Sequence, residues 1–211
     1  MPKMMKTLLR GLLAAVALLG LAGVAMAETP VLGDVPLGNP NAPVTVIEYA
    51  SLTCPHCAHF NDVTMPEVKK KLIDTGKIQL IYRDFPLDQM AVRAAMLARC
   101  GGASSYHGFI DVLFRQQIEW AAAKDPNAAL RQIGRLGGIS DKAFDACMAD
   151  KQVEDAVLNS RLQAQQKYQI DSTPSFVIGG KVHAGALSFD EFDKLVEPLI
   201  EKAGGKPAPA K

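Results

Sequence analysis

The stretch from Ser51 to Phe60 reads SLTCPHCAHF and places Cys54 and Cys57 on either side of a Pro-His pair. Two cysteines in this spacing occur in several kinds of site: half of a zinc site, a haem attachment point, a structural disulfide, or a dithiol that exchanges electrons. The choice among them depends on what precedes and follows the pair, and on the compartment in which the protein folds.

Several of these alternatives fit the surrounding sequence poorly. A c-type haem site needs a histidine directly after the second cysteine, but Ala58 follows Cys57. A structural zinc site needs a second pair of ligands, whereas Cys100 and Cys147 are isolated from each other. A structural disulfide would close a loop too short to restrict the unfolded chain much. Binding of Cu(I) by Cys54, Cys57 and a histidine stays open as an alternative, while the favoured interpretation includes no metal.

The position of the pair favours redox chemistry. Val44–Ala50 alternates with β-branched residues and predicts a strand, and Pro55 suits the first turn of a helix. Cys54 would then lie at a helix N-terminus, where free N–H groups and the dipole favour a thiolate, and is the predicted exposed nucleophile. Cys57, one turn further, is predicted to be more buried and to resolve the mixed disulfide. His56 is expected to help stabilise the anion.

The chain around the pair predicts a parallel β-α-β unit. Residues 28–43 are rich in Pro, Gly and Asn and predict an extended lead-in. The helix is expected to run from Pro55 to about Asp74, with a kink at Pro66. Lys77–Asp84 predicts the second strand, and two strands separated by a helix of this length favour parallel pairing.

A block of helices interrupts this α/β pattern. From about Gln89 to Tyr168 the strand signal vanishes, and turn residues divide the block into four or five predicted helices. Strands return as a hairpin around Gly179-Gly180, and a last amphipathic helix is expected from about Ser188 to Lys202. The predicted segments are an α/β domain in two parts at 44–88 and 169–203, an inserted helical domain at 89–168, and a disordered tail at 204–211.

Residues 1–27 are predicted to be a cleavable signal peptide. Lys3, Lys6 and Arg10 form a basic start, and residues 11–27 carry no charge and close on Ala-Met-Ala, a signal-peptidase pattern. The apolar run is shorter than the ~20 residues that a membrane-spanning helix needs. All four cysteines follow this segment, which predicts export to the periplasm, an oxidising compartment.

The composition limits the kinds of partner. The chain has 211 residues with 23 basic and 22 acidic side chains, so no electrostatic case for a nucleic-acid partner exists. A chain of this length can bury a core without covalent cross-links, so its cysteines are not needed merely for folding.

The order of these features resembles a known family. A strand, the CPHC motif, a helix, a second strand, inserted helices and then Thr173-Pro174 before a hairpin resemble the DsbA family of thioredoxin-fold thiol:disulfide oxidoreductases. The resemblance covers roughly residues 36–203 and implies an α/β thioredoxin fold with an inserted helical domain. CPHC is more specific than CxxC alone, because other thioredoxin-fold branches usually carry other dipeptides.

The resemblance also implies roles for residues outside the motif. The Thr173–Pro174 peptide is expected to be cis, to face the CxxC and to bind the substrate backbone. Glu48, in the middle of the first predicted strand, is expected to lie beneath the dithiol and to help move the proton of the buried cysteine. Cys100 and Cys147 could each be a small buried side chain, but export favours a disulfide between them. Some family members carry such a second, non-catalytic bond.

The implied function is donation of the CPHC disulfide to reduced exported proteins by a monomer that needs no cofactor, followed by reoxidation by a quinone-linked membrane oxidase. An isomerase or reductase of the same fold is the alternative. Known isomerases of this fold carry an N-terminal dimerisation domain, and residues 28–43 are too short for one. Thr173 before the proline, however, also occurs in isomerase-like branches. A periplasmic Cu(I)-binding chaperone is the alternative from a different class.

Overall fold

A computed structural model describes residues 28–204 of the chain, and within them one five-stranded mixed sheet forms the centre of the fold. The strands are β1 (Pro36–Leu37), β2 (Val44–Ala50), β3 (Ile78–Asp84), β4 (Ser175–Ile178) and β5 (Lys181–Ala184). Their order across the sheet is β1-β3-β2-β4-β5, with β2 parallel to β3 and every other neighbouring pair antiparallel. The predicted α/β thioredoxin fold with inserted helices is confirmed.

The lead-in contains a strand that the sequence does not predict. Pro36 and Leu37 pair with Ile81 and Leu80 at the edge of the sheet. A two-residue strand beginning with proline carries no alternation, so it depends on the partner strand rather than on its own pattern. The predicted signal peptide lies outside the described residues. So does the predicted tail, apart from Gly204, which is in a turn.

The helix after the CxxC is continuous but irregular. It consists of α1 (Pro55–His59), a π-helical segment (Phe60–Thr64), α2 (Met65–Val68) and a second π-helical segment (Lys69–Ile73). The N–H of Met65 donates to the carbonyl of Phe60, five residues back, directly before Pro66. The wider turn lets the helix pass a residue that has no N–H to donate.

The helical block holds six helices rather than the four or five expected. They are α3 (Gln89–Cys100), α4 (Gly102–Arg115), α5 (Gln117–Ala121), α6 (Pro126–Leu136), α7 (Asp141–Met148) and α8 (Lys151–Tyr168). The extra boundaries fall at Gln116 and at Ala149-Asp150, where no glycine or proline marks a break. Asp150 instead caps α8 by accepting from the N–H groups of Gln152 and Val153, a signal weaker than a Gly-Gly pair.

Two large apolar cores pack against the sheet, and the CxxC belongs to one of them. One core joins the sheet to α9 (Phe189–Lys202), whose capping box is made by Ser188 and Glu191. The other lies among the inserted helices and includes the side chains of both Cys54 and Cys57. Across residues 28–204, we find no helix with the length and apolar character needed to cross a membrane.

Candidate active site

Cys54 and Cys57 lie where β2 passes into α1. Cys54 is the N-cap residue of α1, with extended backbone angles of φ −83° and ψ 120°, and Pro55 begins the helix as predicted. Both cysteines are free thiols. Cys54 is 5% exposed and Cys57 is 0% exposed, so the order of accessibility agrees with expectation while Cys54 is far less exposed than expected.

The environment of Cys54 favours its thiolate. Its pKa is lowered to about 5, chiefly because the Cys57 thiol donates a hydrogen bond to the sulfur. Burial opposes this shift, while the Thr173 side chain and the N–H groups of Cys57 and His56 support it. A thiol with this pKa is ionised at neutral pH and is both a ready nucleophile and a good leaving group.

His56 approaches the Cys54 sulfur through its backbone. The ring is exposed, and among residues 28–204 its imidazole makes no hydrogen bond. The N–H of His56, by contrast, points at the Cys54 sulfur from the first turn of α1. The structure thus shows a main-chain contribution from His56, and a contribution of its imidazole to the stability of the anion stays a prediction.

Cys57 and Glu48 form the buried half of the site. Burial raises the pKa of the Cys57 thiol far above its usual range, and the hydrogen bond to Cys54 and the negative charge of Cys54 raise it further, with a smaller contribution from Glu48. Glu48 is 3% exposed, in the central strand β2 between Tyr82 and Phe176, and burial raises its pKa to about 8. A carboxyl group with this pKa holds its proton at neutral pH, within electrostatic reach of Cys57.

The Thr173–Pro174 peptide is cis and faces the CxxC. The Cys54 thiol donates to the carbonyl of Thr173 at 3.3 Å across 119 residues of chain. The buried Thr173 hydroxyl has no hydrogen-bond partner of its own within the described residues, so it is available to donate to the Cys54 thiolate. The arrangement places the Thr173 main chain beside the Cys54 sulfur.

Two contacts from the inserted helices hold the loop before the CxxC. The Gln117 amide, at the start of α5, donates to the carbonyls of Leu52 at 2.8 Å and Cys54 at 3.1 Å. The Thr53 hydroxyl donates at 2.6 Å to Asp88, the N-cap residue of α3. Sequence reasoning missed both contacts, because no local pattern pairs residues 35 and 63 positions apart.

The remaining cysteines form a disulfide inside the helical block. Cys100 at the end of α3 and Cys147 in α7 are bonded, with their Cα atoms 6.1 Å apart. Within residues 28–204, no cluster of three or more His, Cys, Asp or Glu side chains could hold a metal ion. The described structure therefore offers one dithiol, and that dithiol combines an ionisable outer sulfur with a buried inner one.

Comparison with known proteins places the chain among thioredoxin-like proteins. A family model described as Thioredoxin matches residues 31–198. Two Rickettsia proteins named as candidate protein-disulfide oxidoreductases are similar: that of R. felis is 37% identical over 171 residues and that of R. typhi is 38% identical over 170. Each match covers 80% of this chain, and the chain spans 61% and 62% of those two proteins.

A solved structure matches this chain over nearly the whole of its own length, unlike the two Rickettsia proteins. The crystal structure of Wolbachia pipientis α-DsbA1 has a TM-score of 0.76 and 34% sequence identity, covering 82% of this chain and 94% of that one. The chain belongs to the DsbA family of thioredoxin-fold thiol:disulfide oxidoreductases.

Proposed function

We propose that the protein oxidises dithiols in exported proteins by donating a Cys54–Cys57 disulfide. The observation that carries this proposal is the contrast between the two sulfurs: the pKa of Cys54 is lowered to about 5, while that of Cys57 is raised. A stabilised Cys54 thiolate favours the reduced protein, and a disulfide whose reduced form is stabilised is a strong oxidant.

The reaction consists of two exchanges at sulfur. A substrate thiolate attacks the Sγ atom of Cys54, which forms a mixed disulfide and expels Cys57 with the electron pair of the broken bond. The second substrate thiolate then attacks the substrate sulfur of the mixed disulfide and expels Cys54 as its stabilised thiolate. The substrate loses two electrons, which the two cysteines gain.

Glu48 supplies the proton that the expelled Cys57 needs. A buried thiolate without a counter-charge is costly, and a carboxyl group with a pKa of about 8 is a donor of suitable strength at neutral pH. Thr173 and Pro174 bind the substrate backbone beside Cys54, and Pro55 starts the helix whose N–H groups face the thiolate.

The surroundings of the reaction are part of the same proposal. Residues 1–27 direct export and are removed, and the mature protein acts in the periplasm on reduced exported proteins. A quinone-linked membrane oxidase regenerates the disulfide, and the protein works as a monomer made of an α/β domain and the helical insertion at 89–168. The basic start and uncharged run of residues 1–27 support the export step.

Equilibration with glutathione tests the direction. We expect a reduction potential above about −200 mV, close to the values of oxidising and isomerising members of the fold. We also expect rapid oxidation of a reduced model protein, poor unscrambling of a misoxidised one, and loss of the oxidation in Cys54→Ser. A potential at or below about −270 mV, the value of thioredoxin, would contradict the oxidase direction. Efficient unscrambling would favour the isomerase alternative.

A further inference from the structure

Gln117 joins the inserted helices to the CxxC loop by two hydrogen bonds. A side-chain amide has two N–H bonds, and both are directed at main-chain carbonyls two residues apart, those of Leu52 and Cys54. Because both partners are acceptors, the orientation of the amide is fixed. The side chain is 7% exposed, so water does not compete freely for these bonds.

The carbonyl of Cys54 is the point at which this contact meets the reactive helix. The same oxygen accepts from the N–H groups of Cys57 and Ala58, both at 3.1 Å, and these bonds form the first turn of α1. Gln117 therefore holds the peptide that joins Cys54 to Pro55 from outside the helix. The angle of that peptide decides how the Cys54 sulfur meets the N–H groups of the first turn.

The element that carries Gln117 is itself anchored. Helix α5 has only five residues, but its Trp120 is 1% exposed and donates from Nε1 to the carbonyl of Leu113 at 2.7 Å. A buried indole with a satisfied N–H fixes the position of a short helix. The packing of Trp120 therefore also fixes the position of Gln117, which lies on the same short helix.

We infer that Gln117 is a positioning residue, which holds the Cys54 main chain in the orientation that stabilises the outgoing thiolate. Two effects act together. Hydrogen bonds weaken steeply as they bend, so release of the Cys54 carbonyl would misalign the N–H groups that face the sulfur. The amide also places donor hydrogens on the carbonyl oxygen of Cys54, the residue that carries the thiolate, and so offsets part of the negative charge of that oxygen. This inference rests on the proposed role of Cys54 as nucleophile.

Three variants of the full mature chain separate the loss of the two donors from the effect of an added charge. Gln117→Glu keeps the shape but replaces the donors by an acceptor, and Gln117→Met removes the donors without adding charge. Gln116→Glu is the matched control, since Gln116 is the preceding residue, is exposed, and leaves the CxxC loop untouched. Circular dichroism confirms the fold of each variant.

The measurement is the pH dependence of iodoacetamide labelling at Cys54 in the reduced protein, resolved by peptide mass mapping. We expect the pKa of Cys54 to rise by at least about one unit in Gln117→Glu and by about half a unit in Gln117→Met, with no change in Gln116→Glu. In glutathione buffer at pH 7, where two glutathione thiols reduce the CxxC and become one glutathione disulfide, the equilibrium constant for reduction should fall about tenfold in Gln117→Glu.

The outcomes distinguish this inference from the proposed function. If the pKa of Cys54 in the unmodified protein is well below the ordinary range, and both Gln117 variants have the same pKa at Cys54, the positioning role is wrong and the proposed function stands. A shift in Gln117→Glu without one in Gln117→Met would assign the effect to added charge and would also overturn the role. If Cys54 of the unmodified protein titrates in the ordinary range, the proposed function itself loses its support.

Discussion

Glu48 shows at the scale of a residue how the site uses burial. The carboxyl group sits in the central strand at 3% exposure, and its pKa of about 8 has burial as its cause. The fold therefore binds a proton at neutral pH that the unfolded chain, with a carboxyl pKa near 4.5, has already released. A buried carboxyl group that stays protonated in this way reduces the free energy of unfolding at neutral pH.

We expect Glu48→Gln to stabilise the oxidised protein, increasingly so as the pH rises from 4.5 to 8. Because the folded pKa of this acid is raised, burial of Glu48 costs nothing below the unfolded pKa, and the cost is complete above the folded pKa. The gain at pH 8.5 should be on the order of 2–5 kcal/mol, and no gain should appear near pH 4.

Urea unfolding of the oxidised form at both pH values measures this difference without interference from thiol titration. The exposed Glu119 supplies the control, and Glu119→Gln should change stability little at either pH. An equal gain from Glu48→Gln at pH 4 and pH 8.5 would show that the carboxyl group does not titrate as argued.

At the scale of elements, the start of α3 is tied to the active-site loop. Asp88 accepts from the N–H of Ala91 as a helix cap and from the Thr53 hydroxyl as a link to the CxxC loop. Asp125 caps α6 in the same way, through Ala128, and its carboxylate makes no contact with the CxxC loop. The two caps therefore form a matched pair.

We expect Asp88→Ala to destabilise the oxidised protein more than Asp125→Ala at pH 7. Loss of a cap alone costs about 1 kcal/mol, and loss of the bond from Thr53 adds about 1 kcal/mol. Urea unfolding of both variants gives the difference. Thr53→Val should cause the same additional loss of unfolding free energy in the parent protein and add little in the Asp88→Ala background. Equal losses in Asp88→Ala and Asp125→Ala would mean that the Thr53 contact contributes nothing to stability.

The same elements show what the sequence can and cannot predict. Strand β2 matches its predicted range because its signal is local alternation, and the CxxC, Pro55 and Thr173-Pro174 are motifs within a few residues. The breaks at Gln116 and Ala149-Asp150 lack glycine and proline, so they escape prediction. The hydrogen bonds from Gln117 to the CxxC loop depend on how α5 packs, and no sequence-spacing rule predicts contacts between residues so far apart in the chain.

At the scale of the whole molecule, one buried ion pair joins three parts of the chain. Arg99 of α3 donates to Asp84 at the end of β3, and the two side chains are 4% and 1% exposed. Arg99 also donates to the carbonyls of Val31 and Gly33 in the lead-in. Burial raises the pKa of Asp84, and the guanidinium opposes that shift. Loss of either partner would leave an unpaired buried charge, at a cost of about 3–5 kcal/mol.

The stability of the whole fold should depend on the redox state of the CxxC, and in an unusual direction. A disulfide normally stabilises by restricting the unfolded chain, but one that closes so short a loop restricts little. The reduced fold, in contrast, holds the Cys54 thiolate, with a pKa of about 5 against an ordinary value of 9.0. We therefore expect the reduced protein to melt at a higher temperature than the oxidised one at pH 7.

The pH dependence follows from the depressed pKa. The stabilisation by the thiolate is complete above about pH 9. It decreases by at most about 1.4 kcal/mol for each unit by which the pH falls, and it is absent below about pH 5. Paired thermal melts at pH 5, 7 and 8.5 measure the gap, with mass spectrometry confirming that mild reduction leaves the Cys100–Cys147 bond intact. Titration of Glu48 occurs in both redox forms and cancels in the gap to first order. A higher melting temperature for the oxidised form at pH 7 and 8.5 would mean that the thiolate does not stabilise the reduced fold, and the oxidase direction would lose its main physical support.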